Sequence, residues 1–195
     1  MAEHVRNQRG EGDKLRALIV DAATRMVDEG VPVASLSLRS IARAAGISAP
    51  SIYPHFASLD VLVTALIDAS FLELRRLIEA SATADPADTL RAACVAYFQF
   101  GRAHVERYRA MFSPDGYGPE SGQALAYLET LLAECVSAGA SASTDVHGDA
   151  FILWAAMHGM TTIPRPARVA DQRLGASDRS ALFAELVTRL ARLTP

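Results

Sequence analysis

Only two cysteines, Cys94 and Cys135, occur among 195 residues. They form neither a disulfide framework nor a CxxC metal site, so two buried thiols in a reducing cytoplasm are expected. Long hydrophobic runs are also missing. The longest, AFILWAAMHGM at 150–160, falls well short of the roughly 20 residues a membrane-spanning helix needs. The polar start MAEHVRNQRGEGDK lacks the apolar stretch of a signal peptide. The expected location is therefore the cytoplasm, with no membrane partner. There is no glycine-rich phosphate loop, no nucleophile elbow and no His/Asp pair at a catalytic spacing, so no enzyme activity, metal or cofactor is expected. No window sustains the alternation of a strand, which leaves helices.

Half of the residues are hydrophobic and 21% are charged, an ordinary balance for a globular chain with one sizeable core or with a small domain packed on a larger one. A net charge of −3 argues against a nucleic-acid partner until its distribution is read. Residues 1–59 hold seven basic and six acidic side chains, and 31–59 hold two arginines and no acid. Residues 60–195 hold twelve basic against sixteen acidic ones. That asymmetry fits a binding module joined to an acidic body.

From Asp13 onward, Leu15, Leu18, Ile19, Ala22, Met26 and Val27 recur at helical spacing. Gly30 and Pro32 end that helix. Ser37 is placed to cap a second helix over about Leu38–Ala45, closed by Gly46. Ser48 is placed to cap a third, very short one between Pro50 and Pro54. A long fourth helix is expected from Ser58 to about Ala80. Further helices are expected at about 86–111, 120–138, 145–162 and 177–193, separated by turn-rich stretches.

In SIARAAGISAPSIYPHF, the residues Ile41, Ala45, Ile47, Ile52 and His55 take the inward slots of a helix-turn-helix. Ala42 permits close approach of the helices, and Gly46 supplies the positive φ of the turn. The outward face then carries Ser48, Ala49, Pro50 and Ser51, short enough to lie against base edges in a major groove. Tyr53 and His55 follow within reach of phosphates.

The longer stretch LSLRSIARAAGISAPSIYPHFASLDVL resembles the DNA-binding domain of TetR-family transcriptional regulators, from about Asp13 to Leu62. One residue departs from the pattern. The family usually places a lysine after the serine that opens helix four, and here Leu59 stands there. Arg39, Arg43 and the N-terminal Arg6, Arg9 and Lys14 are then expected to supply the charge for phosphates.

In the body, LWAAMHGM puts Trp154 and His158 four apart on one helical face, with Gly159 beside them. The pair reads either as core packing or as part of an apolar cavity with a few polar groups. Tyr97, His104, Tyr108, Met111 and Tyr127 are candidate co-liners. The motif resembles a TetR subgroup marked by a tryptophan–histidine–glycine signature.

The resemblance implies an all-α chain. A flexible arm at 1–12 precedes a helix-turn-helix domain at 13–59, and a ligand-binding and dimerisation bundle at 60–195 follows, entered by a linking helix at about 58–80. It implies a repressor that binds a palindromic double-stranded operator as a homodimer and is released by a small apolar or aromatic effector. The alternative is a helical ligand-binding or interaction protein with weak or lost DNA binding, for which Leu59 is the motive.

Overall fold

The computed structural model describes residues 11–113, 119–163 and 179–194. Residues 1–10 of the expected arm, with Arg6 and Arg9, lie outside them, as do the turn-rich stretches at 114–118 and 164–178. Every regular element among the described residues is helical. Two compact units emerge. Among the described residues one comprises 11–70 and 105–113, and the other 71–104, 119–163 and 179–194.

The first unit begins with α1 (Glu11–Asp28). Its buried side chains Ile19, Ala22, Ala23 and Val27 fall three or four apart and form the apolar stripe that drives its packing. A 3-10 turn at Val33–Ser35 leads to α2 (Leu38–Ala44). Ser37 caps α2 as expected: its hydroxyl accepts from the Ser40 N–H at 3.1 Å, while the Ser40 hydroxyl accepts from the Ser37 N–H at 3.0 Å. Residues with short polar side chains are favoured there because they satisfy amides that the helix leaves unpaired.

At the other end of α2, Gly46 has φ +70°. The Gly46 N–H donates to the Arg43 carbonyl, and the Ile47 N–H to the Ala42 carbonyl, at 3.1 and 3.0 Å. This double bond pattern is a Schellman closure, which needs a left-handed residue at that position. A Cβ on Gly46 would meet nothing within 4 Å. Conformation, not space, therefore requires the glycine.

The third helix of the sequence reading is a 3-10 turn, Ala49–Ile52. Pro50 has no N–H, and Pro54 follows too soon for repeated i to i−4 bonds to close. Ser48 does not cap it with its side chain. Its hydroxyl instead lies 2.6 Å from that of Ser51. Below this turn Ile41, Ile52, Phe56, Leu62 and Leu66 are fully buried.

α3 (Leu59–Ala80) runs unbroken from the first unit into the second. The next expected helix, 86–111, is two helices. α4 (Pro86–Ala103) is capped by Asp85, whose carboxylate accepts from the Asp88 N–H at 2.8 Å. It stops at His104, where φ −124° and ψ 57° leave helical space. α5 (Val105–Met111) then packs on α1 within the first unit. Its Arg107 is only 2% exposed and donates from Nε to the Asp28 carboxylate at 2.7 Å. Contact thus groups residues 105–113 with the N-terminal unit, whereas the sequence places them in the body.

The second unit adds α6 (Pro119–Ser137), α7 (Val146–Thr162) and α8 (Arg179–Leu190). α4 packs against all three, and α7 against α6 and α8. The Phe98 and Phe183 rings stack at 4.4 Å, joining α4 to α8. Cys94 and Cys135 are both buried and unbridged. Among the described residues no helix is long and apolar enough to cross a membrane.

Candidate nucleic-acid interface and effector cavity

In the first unit, the segment after the Gly46 turn presents its polar face to solvent. Ser48 and Pro50 are exposed, Ala49 and Ser51 half-buried. Tyr53 is 54% exposed, while Ile52 is fully buried and anchors the turn from beneath. His55 is half-buried beside α1: a Cβ on Gly12 would stand 3.9 Å from its Cε1. Arg39 and Arg43 are exposed one turn apart on α2 and carry no carboxylate partner among the described residues. Such a surface offers hydroxyls, a phenol and two uncompensated guanidinium groups to a polyanion.

In the second unit, α3, α4, α6 and α7 line a narrow, partly open apolar cavity of about 30 Å³. Ile78, Cys94, Tyr97, Tyr127, Leu128 and Trp154 are among its walls. A second hollow of similar size shares Ile78, Ala124 and Tyr127 with it. At the edge of that hollow, Arg75 donates to Glu79 at 2.7 Å and to the Gln123 side-chain carbonyl at 3.0 Å. Aromatic and aliphatic side chains thus surround the inner space, and polar groups gather at one end.

Burial, followed by the neighbouring Cys135, pushes the Cys94 thiol up to about 12. It is therefore a neutral wall of the cavity and no nucleophile. Burial and then the Glu79 and Glu134 carboxylates raise Tyr127. It stays a neutral phenol able to donate or accept.

Of the expected co-liners, Tyr97, Tyr127 and Trp154 come together in the cavity. His158 sits one turn beyond Trp154 on α7, its ring stacked on the indole with centroids 5.8 Å apart. Burial lowers its pKa below the ordinary 6.5, so the ring is neutral at pH 7. Three expectations are corrected. His104 ends α4 against the Phe100 ring, 5.0 Å away, and does not line the cavity. Tyr108 and Met111 are buried in α5, in the first unit. The helix break at His104 is the cause, because it separates these residues from the α4 face that bears Tyr97. Sequence reasoning missed Ile78, Cys94, Leu128 and Met157 as cavity walls, since apolar residues at helical spacing carry no mark that separates cavity from core. Among the described residues no group of three or more His, Cys, Asp or Glu is placed to hold a metal.

Both halves match known families. Residues 19–66 match the family of bacterial regulatory proteins named after TetR. Residues 90–190, just over half of the chain, match the tetracycline repressor-like C-terminal domain. An uncharacterized HTH-type transcriptional regulator of Haemophilus influenzae is 39% identical over 66 residues, 34% of this chain. The match spans only 32% of that relative.

Among solved structures, a protein with unknown function from a Rhodococcus species shares the fold at TM-score 0.73 and 24% identity. It is covered completely by 96% of this chain. The TetR family transcriptional regulator PfmR of Thermus thermophilus aligns at TM-score 0.64 and 18% identity, over 89% of this chain and 94% of its own. With a helix-turn-helix in one unit, an apolar cavity in the other and a family match to each, the chain belongs to the TetR family of bacterial regulatory proteins.

Proposed function

We propose that this protein is a cytoplasmic repressor that binds a palindromic DNA operator as a homodimer and leaves it when a small molecule enters the cavity at Trp154. The observation that carries the reading is α3. One unbroken helix holds Leu62 and Leu66 in the core beneath the recognition turn and lends Ile78 to the cavity wall. A ligand that shifts the C-terminal half of α3 therefore shifts its N-terminal half. The second covalent route runs through α4, which lines the cavity at Tyr97, and on into α5, tied to α1 by Arg107 and Asp28. The effector must bind the DNA-free state more tightly than the DNA-bound one, because equal affinity shifts no equilibrium. Three aromatic rings and an otherwise aliphatic lining favour an uncharged or weakly polar, partly aromatic compound. The succession of Trp154, His158 and Gly159 on α7 supports reading the body as a member of the tryptophan–histidine–glycine subgroup.

The dimer rests on α7 and α8. Phe151 and Ile152 on α7, Ile163 at its end and Leu182 on α8 are exposed large apolar side chains. A helix that is apolar on the side facing water needs a partner, and an identical pair of helices from a second copy covers both sets by two-fold symmetry. The two recognition turns then read half-sites about 34–36 Å apart. Sedimentation at micromolar concentration is expected to show a dimer. A monomer that still binds operator as a monomer ends this part of the proposal.

Within the recognition turn, Ser48–Ser51 meet base edges and Tyr53 and His55 hold phosphates. Tyr53→Phe is expected to weaken all sequences alike by about 1 kcal/mol for one hydrogen bond. Ser51→Ala is expected to change base preference at one or two positions. Binding to a mutated panel of the gene's own upstream DNA checks both. A sequence-specific effect from Tyr53→Phe and none from Ser51→Ala reverses the assigned roles. No binding of that DNA at any salt concentration favours the ligand-binding protein without DNA affinity.

A further inference from the structure

Among the described residues of the second unit four arginines pair with carboxylates: Arg75 with Glu79, Arg91 with Asp88, Arg189 with Glu185 and Arg192 with Asp149. Along α1 and α2 the pattern differs. Arg16, Arg25, Arg39 and Arg43 are exposed, and none reaches a carboxylate among the described residues.

Arg16 is nonetheless held in place. Its guanidinium carbon lies 4.7 Å from the centre of the Phe56 ring, and that ring is fully buried. The same face of α1 makes a second contact one turn earlier, where Gly12 adjoins His55. Two successive turns of α1 thus lie against the His55–Phe56 corner. Tyr53, three residues before Phe56, projects into solvent from the same corner.

A guanidinium over an aromatic face is attracted by the ring quadrupole. Its five N–H donors lie in its own plane and carry the fork geometry that matches a phosphate in bidentate fashion. An arginine bound to a carboxylate would have to break that pair first. Among the described residues Arg16 has no such pair to break, and the ring restricts the positions its side chain samples before binding.

We propose that Arg16 is a DNA-contact residue that binds a backbone phosphate beside the recognition turn. The proposal rests on the DNA-binding reading above. It adds a residue of α1 to a surface otherwise built from α2 and the segment that follows it.

The test is the salt dependence of binding to a random-sequence duplex of about 30 base pairs. Phosphate contacts are blind to sequence, and each contributes about 0.9 to the slope of log affinity against log salt. Arg16→Gln is expected to reduce the slope by about 1.8, about 0.9 for each subunit of the bound dimer, and Arg16→Lys, which keeps the charge, to retain it. Arg25→Gln is the control for net charge, since Arg25 lies nine residues away in the last turn of α1, and the wild-type slope is expected. A wild-type slope for Arg16→Gln overturns the proposal. So does an equal fall in Arg16→Lys, or in Arg25→Gln. If the wild-type protein does not bind the duplex at low salt, the DNA-binding reading itself fails, a result distinct from any of these.

Discussion

Replacing Asp28 with alanine lowers the free energy of unfolding by about 3 kcal/mol, the lower end of the range for removing one partner of a buried ion pair. The lower end applies because the two groups differ in burial. The Arg107 side chain is 2% exposed and that of Asp28 is 30% exposed. Removing the carboxylate leaves a guanidinium in the core without the acceptor that sits 2.7 Å from its Nε. Removing the arginine instead leaves a carboxylate that water can still reach. Arg107→Met, which also keeps most of the buried volume, therefore costs less, about 1 kcal/mol. The double variant recovers most of what Asp28→Ala loses, since no buried guanidinium then lacks the Asp28 carboxylate. Urea denaturation of the three variants checks the order. An Asp28→Ala protein within about 0.5 kcal/mol of wild type, the range of ordinary surface changes, contradicts this account of how α5 is held on α1.

The second large effect is on regulation. Trp154→Ala is expected to abolish release of operator by the effector, reducing a typical 5–150-fold loss of DNA affinity to none. Affinity for operator without effector stays close to wild type, because Trp154 lines the cavity of the second unit whereas the recognition turn belongs to the first. Truncation leaves an enlarged cavity, and the stability cost is about 3 kcal/mol. Circular dichroism must therefore show that the variant is folded at the assay temperature. Trp154→Phe, which keeps an aromatic ring in the cavity wall that Tyr97 and Tyr127 also line, is expected to restore part of the response. Release by the effector that is unchanged in Trp154→Ala makes the tryptophan plain core.

Much of this molecule was legible from residue order. The Ser37 cap, the Gly46 closure, the Asp85–Pro86 start and the long helix after Ser58 follow from local chemistry that acts within a turn or two. The third helix was less so, because two prolines four residues apart convert a nominal helix into a 3-10 turn. The break at His104 carried no sequence mark. Gly101 precedes it but lies within α4, RAHVERY contains neither glycine nor proline, and the docking of α5 on α1 makes the break worthwhile. Arg107 was passed over for the same reason. A periodicity argument counts arginine as a surface residue, and only the fold reveals the carboxylate that allows its burial. In the cavity, Trp154 and His158 stood out by type and spacing. Tyr108 and Met111 shared the right chemistry, yet the helix break placed them in the other unit. The Arg16–Phe56 contact joins residues 40 apart, a distance at which no short motif operates.

The central claim is that the cavity and the DNA surface share one equilibrium. Trp154 is the sole tryptophan and lines the cavity, so its emission reports occupancy directly. The decisive measurement follows Trp154 quenching by an apolar aromatic compound while fluorescence anisotropy reports the affinity for labelled upstream DNA. The account predicts that operator affinity falls 5–150-fold over the same concentration range in which Trp154 is quenched. Full quenching with no change in operator affinity would contradict it.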